Sequence, residues 1–197
     1  MPAHAPYRPS PQFITPRLAR RAAVSSIRSR EWVTPEFGAS TAFISLSPGL
    51  VCVFDAPGER GLTHQSIGAR GMSVQQAWNA SADTLLSTAS RGANLEFWVR
   101  PARASLGHLA PAGFEIRGGA VPAASWLAHP RTFNALHAHC AAVFAAEGQL
   151  TFFSRDDREL FVFTAPEHEV AAALGEHPLI RYSLGFPLLA HREAAAA

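Results

Sequence analysis

The sequence predicts an α+β fold, a mainly antiparallel sheet with helices packed on one face. Three observations carry this expectation. Strand-like segments come in adjacent pairs joined by short turns, near 42–47 with 50–55 and near 150–154 with 160–164. Helix-like segments with capping signals separate those pairs. Hydrophobic residues make up 48% of the 197 residues, enough for one core of ordinary size without disulfide or metal support.

In chain order, residues 1–12 read MPAHAPYRPSPQ, and four prolines in that stretch rule out helix and paired strand. Residues 1–15 are therefore expected to form a flexible Pro-rich arm, and 16–197 a single α+β domain with an extended C-terminal tail. Thr15-Pro16 reads as a helix start, a capping hydroxyl before proline at the first helical position, which predicts a helix from Pro16 to about Arg30. Thr41 to Ser47 and Leu50 to Asp55 flank Ser47-Pro48-Gly49 as a hairpin, and Leu62 to Ile67 is expected as the third strand of a meander. Ser73 and Gln76 form a capping box ahead of a helix whose stripe is Val74, Trp78, Ser81 and Leu85, ending near Ser90. Leu95 to Arg100 and Gly113 to Arg117 read as strands separated by a Pro/Gly/Ala loop. Pro130 opens a helix with the stripe Phe133, Leu136, Cys140, Val143 and Phe144, ending before Gly148. Two apolar runs, Leu150–Ser154 and Leu160–Thr164, flank the charged tip 155–159 as the strongest hairpin in the chain. Pro166 begins a last helix, with Glu167 and Glu169 suited to its N-terminal dipole and Gly175 as its stop.

A strand ending in Asp55, the Gly71-Met72-Ser73 lead into VQQAWNASADTLL, and the late FFSRDDRELFVF hairpin with Ser154-Arg155-Asp156 give the chain a resemblance. Over roughly residues 42–165 it resembles the YtpQ-like family of uncharacterised bacterial proteins. That resemblance implies an α+β fold and carries no activity with it.

Composition narrows the function classes. All 17 basic residues are arginine, set against 15 acids, so the net charge is only +2 and gives no global nucleic-acid footprint. Alanine- and arginine-rich, lysine-free composition fits a GC-rich bacterial genome. Cys52 and Cys140 lie in apolar stretches, which predicts free, buried thiols in a reducing, cytoplasmic setting. No apolar run is long enough for a membrane span, and no signal-peptide segment is read at the N-terminus.

Candidate chemistry is sparse. His129, His137, His139 and Cys140 form the densest group of ligand-type residues. On a helix His137 and Cys140 share a face, but a third zinc ligand at the right spacing is missing, and the apolar stripe around Cys140 argues for burial over nucleophilic use. The tip Ser154-Arg155-Asp156-Asp157-Arg158-Glu159 could hold a cation through its adjacent acids; an ion-paired polar turn explains it more simply. His64 and Asp55 have no accompanying serine elbow, and the phosphate-loop, dinucleotide and C-x-x-C motifs are absent. No metal and no cofactor is called for. One charge asymmetry remains: Arg17, Arg20, Arg21, Arg28 and Arg30, without an acid among them, form the candidate electrostatic binding site. An acid-free, arginine-rich N-terminus also resembles a mitochondrial presequence. The sequence thus points to a non-catalytic interaction protein that binds another protein. Its rivals are a hydrolase-like enzyme and a nucleic-acid accessory protein using the basic N-terminal helix.

Overall fold

The computed structural model describes residues 13–21, 41–92, 94–117, 121–146, 148–156, 158–175 and 177–190. It is an α+β structure in which every paired strand is antiparallel to its neighbour. A three-stranded sheet is built from β1 (Thr15–Arg20), β2 (Phe43–Ser47) and β3 (Leu50–Asp55) in the order β1-β3-β2. A six-stranded sheet contains β6 (Trp98–Pro101), β7 (Gly113–Arg117), β8 (Thr151–Phe153), β9 (Leu160–Phe163), β10 (Ile180–Ser183) and β11 (Phe186–Leu189) in the order β11-β10-β8-β9-β7-β6. A two-residue ladder joins β4 (Ser90–Arg91) to β5 (Asn94–Leu95). The helices are α1 (His64–Ala69), α2 (Val74–Ala89), α3 (Arg103–Leu106), α4 (Pro130–Val143) and α5 (Glu167–Leu174), with a 3₁₀ segment at Ala123–Ala128.

The main core lies between the two larger sheets and the longer helices. Leu18, Leu50, Cys52 and Phe54 from the small sheet meet Trp78 and Leu85 of α2, Phe133 and Leu136 of α4, and Phe152, Leu160, Val162 and Ile180 of the large sheet. Alternation along β8 and β9 sends Phe153, Phe161 and Phe163 to the opposite face, where α5 covers them with Val170. The long helices therefore share one face of the large sheet, and the short α5 closes part of the other.

The predicted α2 forms as expected: the Ser73 side chain caps Gln76, and the Gln76 side chain returns to the Ser73 N–H. Pro130 opens α4 and Gly175 stops α5. Both hairpins, 43–55 and 151–163, form with antiparallel registers.

Four expectations are corrected. The helix does not begin at Pro16; Thr15–Arg20 is a strand paired along its length with β3, Leu18 opposite Cys52, and Arg21 alone among the described residues of that segment is helical. Pro16 is tolerated there because β1 is an edge strand, where a missing N–H faces away from the sheet. The rest of that expectation, residues 22–30, lies outside the described residues, as does the arm 1–12. With β1 occupying the third place in the small sheet, Leu62–Ile67 does not form a strand. Instead Thr63 accepts the Ser66 N–H at 2.9 Å and caps α1, which buries Ile67 in the core. The expected strand 95–100 is interrupted at Glu96-Phe97, where Phe97 turns inward against the Trp126 and His139 rings at 4.8 and 5.1 Å. Finally, the extended tail contains the β10–β11 hairpin; its two-residue turn, Leu184-Gly185, has positive φ at both positions, as tight hairpins require.

Candidate functional site

The sheet ends differ. At one end β11 lies against β2 and β3, a Leu189 methyl closes on the β2–β3 turn at Gly49, and Pro187 removes a donor from the edge. At the other end β6 pairs with β7 and borders no further strand among the described residues. Exposed long edges are ordinarily blunted, because their unpaired groups are templates for another chain.

The main-chain pattern shows which groups β6 presents. Ala102 donates its N–H to the Gly113 carbonyl at 2.9 Å, and the register runs unbroken from Pro101 opposite Phe114 to Trp98 opposite Arg117. Groups alternate along an antiparallel strand, so those of Arg100 and Trp98 face β7. The Val99 N–H and C=O and the Pro101 C=O then point to the open edge. Pro101 thus sits where its missing donor costs no ladder bond.

Two apolar side chains of this edge strand stand exposed. Trp98 is 77% exposed and Val99 45% exposed. Trp98 shares a sheet face with Arg117, Arg100 and Glu115. Glu115 is buried, and it is held by the Arg100 guanidinium at 2.7 Å and by the Ser105 hydroxyl of α3. Burial alone would raise its pKa; the hydrogen bonds from Arg100 and Ser105 outweigh that and hold the carboxyl below its ordinary value. Arg117 lies 3.8 Å from the other Glu115 oxygen, with its side chain 54% exposed. A guanidinium carries five N–H donors, more than this one long contact can use.

Beside the Trp98 end of β6 a groove of about 210 Å³ opens. Its floor is apolar, with Leu85 and Ala89 of α2, Phe97, Ile116 and Trp126, and its rim carries Arg91, Glu96 and Arg117. Arg91 and Glu96 pair across the β4–β5 ladder at 3.3 Å, both well exposed. The floor exists because the stripe of α2 continues to Ala89 and Phe97 folds inward, leaving no long side chain to fill the space.

The residues singled out in the sequence fall elsewhere. Arg17 donates to Asp55 from Nε at 2.7 Å and from Nη2 at 3.2 Å, and Asp55 also accepts the Gly61 N–H at 2.8 Å. That guanidinium is part of the small sheet's internal structure. Arg20 closes β1, Arg21 follows it and donates its N–H to the Gly49 carbonyl, and Arg28 and Arg30 lie outside the described residues. His129 is 3% exposed and caps α4: Nδ1 accepts the Arg131 N–H at 3.1 Å, Nε2 lies 3.3 Å from Asn79 Oδ1, and the ring leans on Trp78 at 4.3 Å. Burial, aided by the Arg131 charge, pushes its pKa down to about 4. His137 stacks on Tyr182 at 4.1 Å, and burial lowers its pKa too. Cys140 and Cys52 are buried and unpaired with each other, and burial pushes the Cys140 thiol up to about 12. No three His, Cys, Asp or Glu side chains converge as a metal site among the described residues. At the hairpin tip Arg155 forks onto Glu159 at 2.7–3.0 Å, and Asp156 accepts the N–H groups of Arg158 and Glu159 at 3.0 Å. This is the ion-paired turn. His64 sits in the first turn of α1.

Sequence reasoning did not single out Trp98, Val99 or Arg117. The signal was present in LEFWVR, where a tryptophan occupies the same alternation phase as Arg100, but only the sheet order reveals that this strand is an edge. Comparison with protein-family models, with curated proteins and with solved structures finds no match to this chain. No helix among the described residues is long and apolar enough to cross a membrane.

Proposed function

We propose that this protein is a non-catalytic binding module that takes an extended segment of another protein onto the free edge of β6. One observation carries the reading: the end of the six-stranded sheet that borders no further strand among the described residues is also where Trp98 and Val99 stand exposed. Strand addition draws affinity from main-chain pairing and selectivity from alternate side chains, and a large exposed aromatic beside an unpaired ladder supplies both. The perturbed groups elsewhere support no competing chemistry. His129 and Glu115 are each spent on internal hydrogen bonds, and Cys140 is held as a neutral, buried thiol. Unpaired buried cysteines fit a reducing compartment, and we assign the protein to the cytoplasm.

The test is selection from a displayed library of random linear peptides against wild type and Val99→Pro. The substitution removes the outward N–H while leaving the groups that face β7. Wild type should enrich extended, β-prone peptides and the variant, with an unchanged far-UV spectrum, should enrich none. Equal enrichment by both proteins would refute strand addition at β6.

A further inference from the structure

The groove beside Trp98 has a chemistry that goes beyond main-chain pairing. Resting on the edge-strand reading above, we infer that the partner segment runs off the Trp98 end of β6 with an aromatic residue followed by an acidic one. The aromatic side chain enters the groove and the carboxylate meets Arg117. Leu85, Ala89, Phe97, Ile116 and Trp126 give apolar and ring surface to a groove of about 210 Å³ that Thr88, Arg91, Glu96 and Arg117 also line. A flat ring suits such a space, since edge-to-face contacts with Phe97 and Trp126 repeat the packing those two rings already make at 4.8 Å.

Charge sets the second residue. Among the described residues bordering this groove, the guanidinium groups of Arg91, Arg100 and Arg117 face the carboxylates of Glu96 and Glu115, while Glu159, which also acts on Arg100, is held by Arg155. Arg100 is committed to Glu115 at 2.7 Å and Arg91 to Glu96 at 3.3 Å. Among the described residues, Arg117 is the least closely held of these cations, 3.8 Å from a carboxylate already engaged by Arg100 and Ser105, and it lies across the ladder from Trp98. An incoming carboxylate gains an ion pair with Arg117; a lysine would oppose it.

The experiment measures anisotropy of fluorescein-labelled peptides that alternate threonine and valine and end in Phe-Asp, Phe-Asn, Phe-Lys or Ala-Asp, with a labelled thymidine 20-mer as a further arm. Wild type should bind Phe-Asp best, roughly threefold to fivefold over Phe-Asn at low salt, as expected for a partly exposed ion pair. Phe-Lys and Ala-Asp should both be weaker than Phe-Asn. Arg117→Gln should erase the difference between Phe-Asp and Phe-Asn while retaining Phe-Asn binding. Val99→Pro should abolish binding of every peptide. If Phe-Asp, Phe-Asn and Phe-Lys bind alike and Val99→Pro still abolishes binding, the acidic-aromatic partner is refuted and the edge reading stands. If folded Val99→Pro binds every peptide as wild type does, or wild type binds none, the edge reading itself is overturned. Tighter binding of the oligonucleotide than of any peptide would overturn the inference and give the Trp98–Arg117 face to a base and its phosphate.

Discussion

Acid should destabilise this protein through one histidine. His129 Nδ1 accepts the Arg131 N–H, so its proton must sit on Nε2, facing Asn79 Oδ1. Protonating Nδ1 would set two donors against each other at the start of α4, inside a site that is 3% exposed. The pKa falls from 6.5 in the unfolded chain to about 4 in the fold. The unfolded state therefore binds the proton more readily, and stability is complete above pH 6.5 and lost as pH falls toward 4. Each unit between those values is worth about 1.4 kcal/mol, so roughly 2 kcal/mol should be gone by pH 5 and about 3 kcal/mol at most below pH 4. The perturbation is His129→Asn, which keeps a capping acceptor without a titrating ring. Urea melts at pH 7.5, 6.0 and 5.0 should show wild type losing roughly 2 kcal/mol more than the variant across that range. Parallel loss in the two proteins would refute the cap as the acid-sensitive element.

Further substitutions test the packing. Ala145 ends α4 with φ 48°, and Ala146 returns its N–H to the Ala141 carbonyl at 3.1 Å; Ala145→Gly should stabilise by about 1 kcal/mol in a urea melt. Gly113→Ala places a methyl 2.5 Å from Phe163 Cδ1 and 2.6 Å from the Val162 carbonyl, and it should lower the melting temperature by several degrees or abolish folding. Arg17→Gln should cost about 1 kcal/mol of stability by stranding the half-buried Asp55, with peptide binding unchanged. Cys52 and Cys140 should react with a thiol reagent only as fast as the protein opens, so labelling should accelerate in step with denaturant.

What the sequence revealed follows from how local each signal is. The α2 capping box, Pro130 at the start of α4 and the 151–163 hairpin are all specified within a few neighbouring residues, and all formed. The segment at Pro16 carries equally good local helix signals, yet pairing with β3 prevailed, because Leu18 is buried and Arg17 finds Asp55 only as a strand. That partner lies 38 residues away, beyond the reach of periodicity. Pro187 disguised β11 in the same way: proline argues against a strand unless the strand is an edge, and edges are known only from sheet order. The site was hidden for this reason too. Trp98 and Val99 read as ordinary strand residues, and their exposure depends on β6 standing last in the sheet. By contrast the histidines that drew attention in the sequence proved to be a helix cap, His129, a ring stacked on Tyr182, His137, and a ring tilted against Phe97, His139.

The Val99 amide reports most directly on whether β6 receives a strand. Its N–H is assigned to the open edge, whereas those of Trp98 and Arg100 are assigned to β7. Residue-resolved hydrogen exchange should therefore show Val99 exchanging rapidly in the free protein and slowing at least tenfold when the Phe-Asp peptide is saturating, with Trp98 and Arg100 little changed; that factor corresponds to about 1.4 kcal/mol of added protection. A Val99 amide that exchanges equally fast with and without saturating peptide would contradict strand addition at this edge.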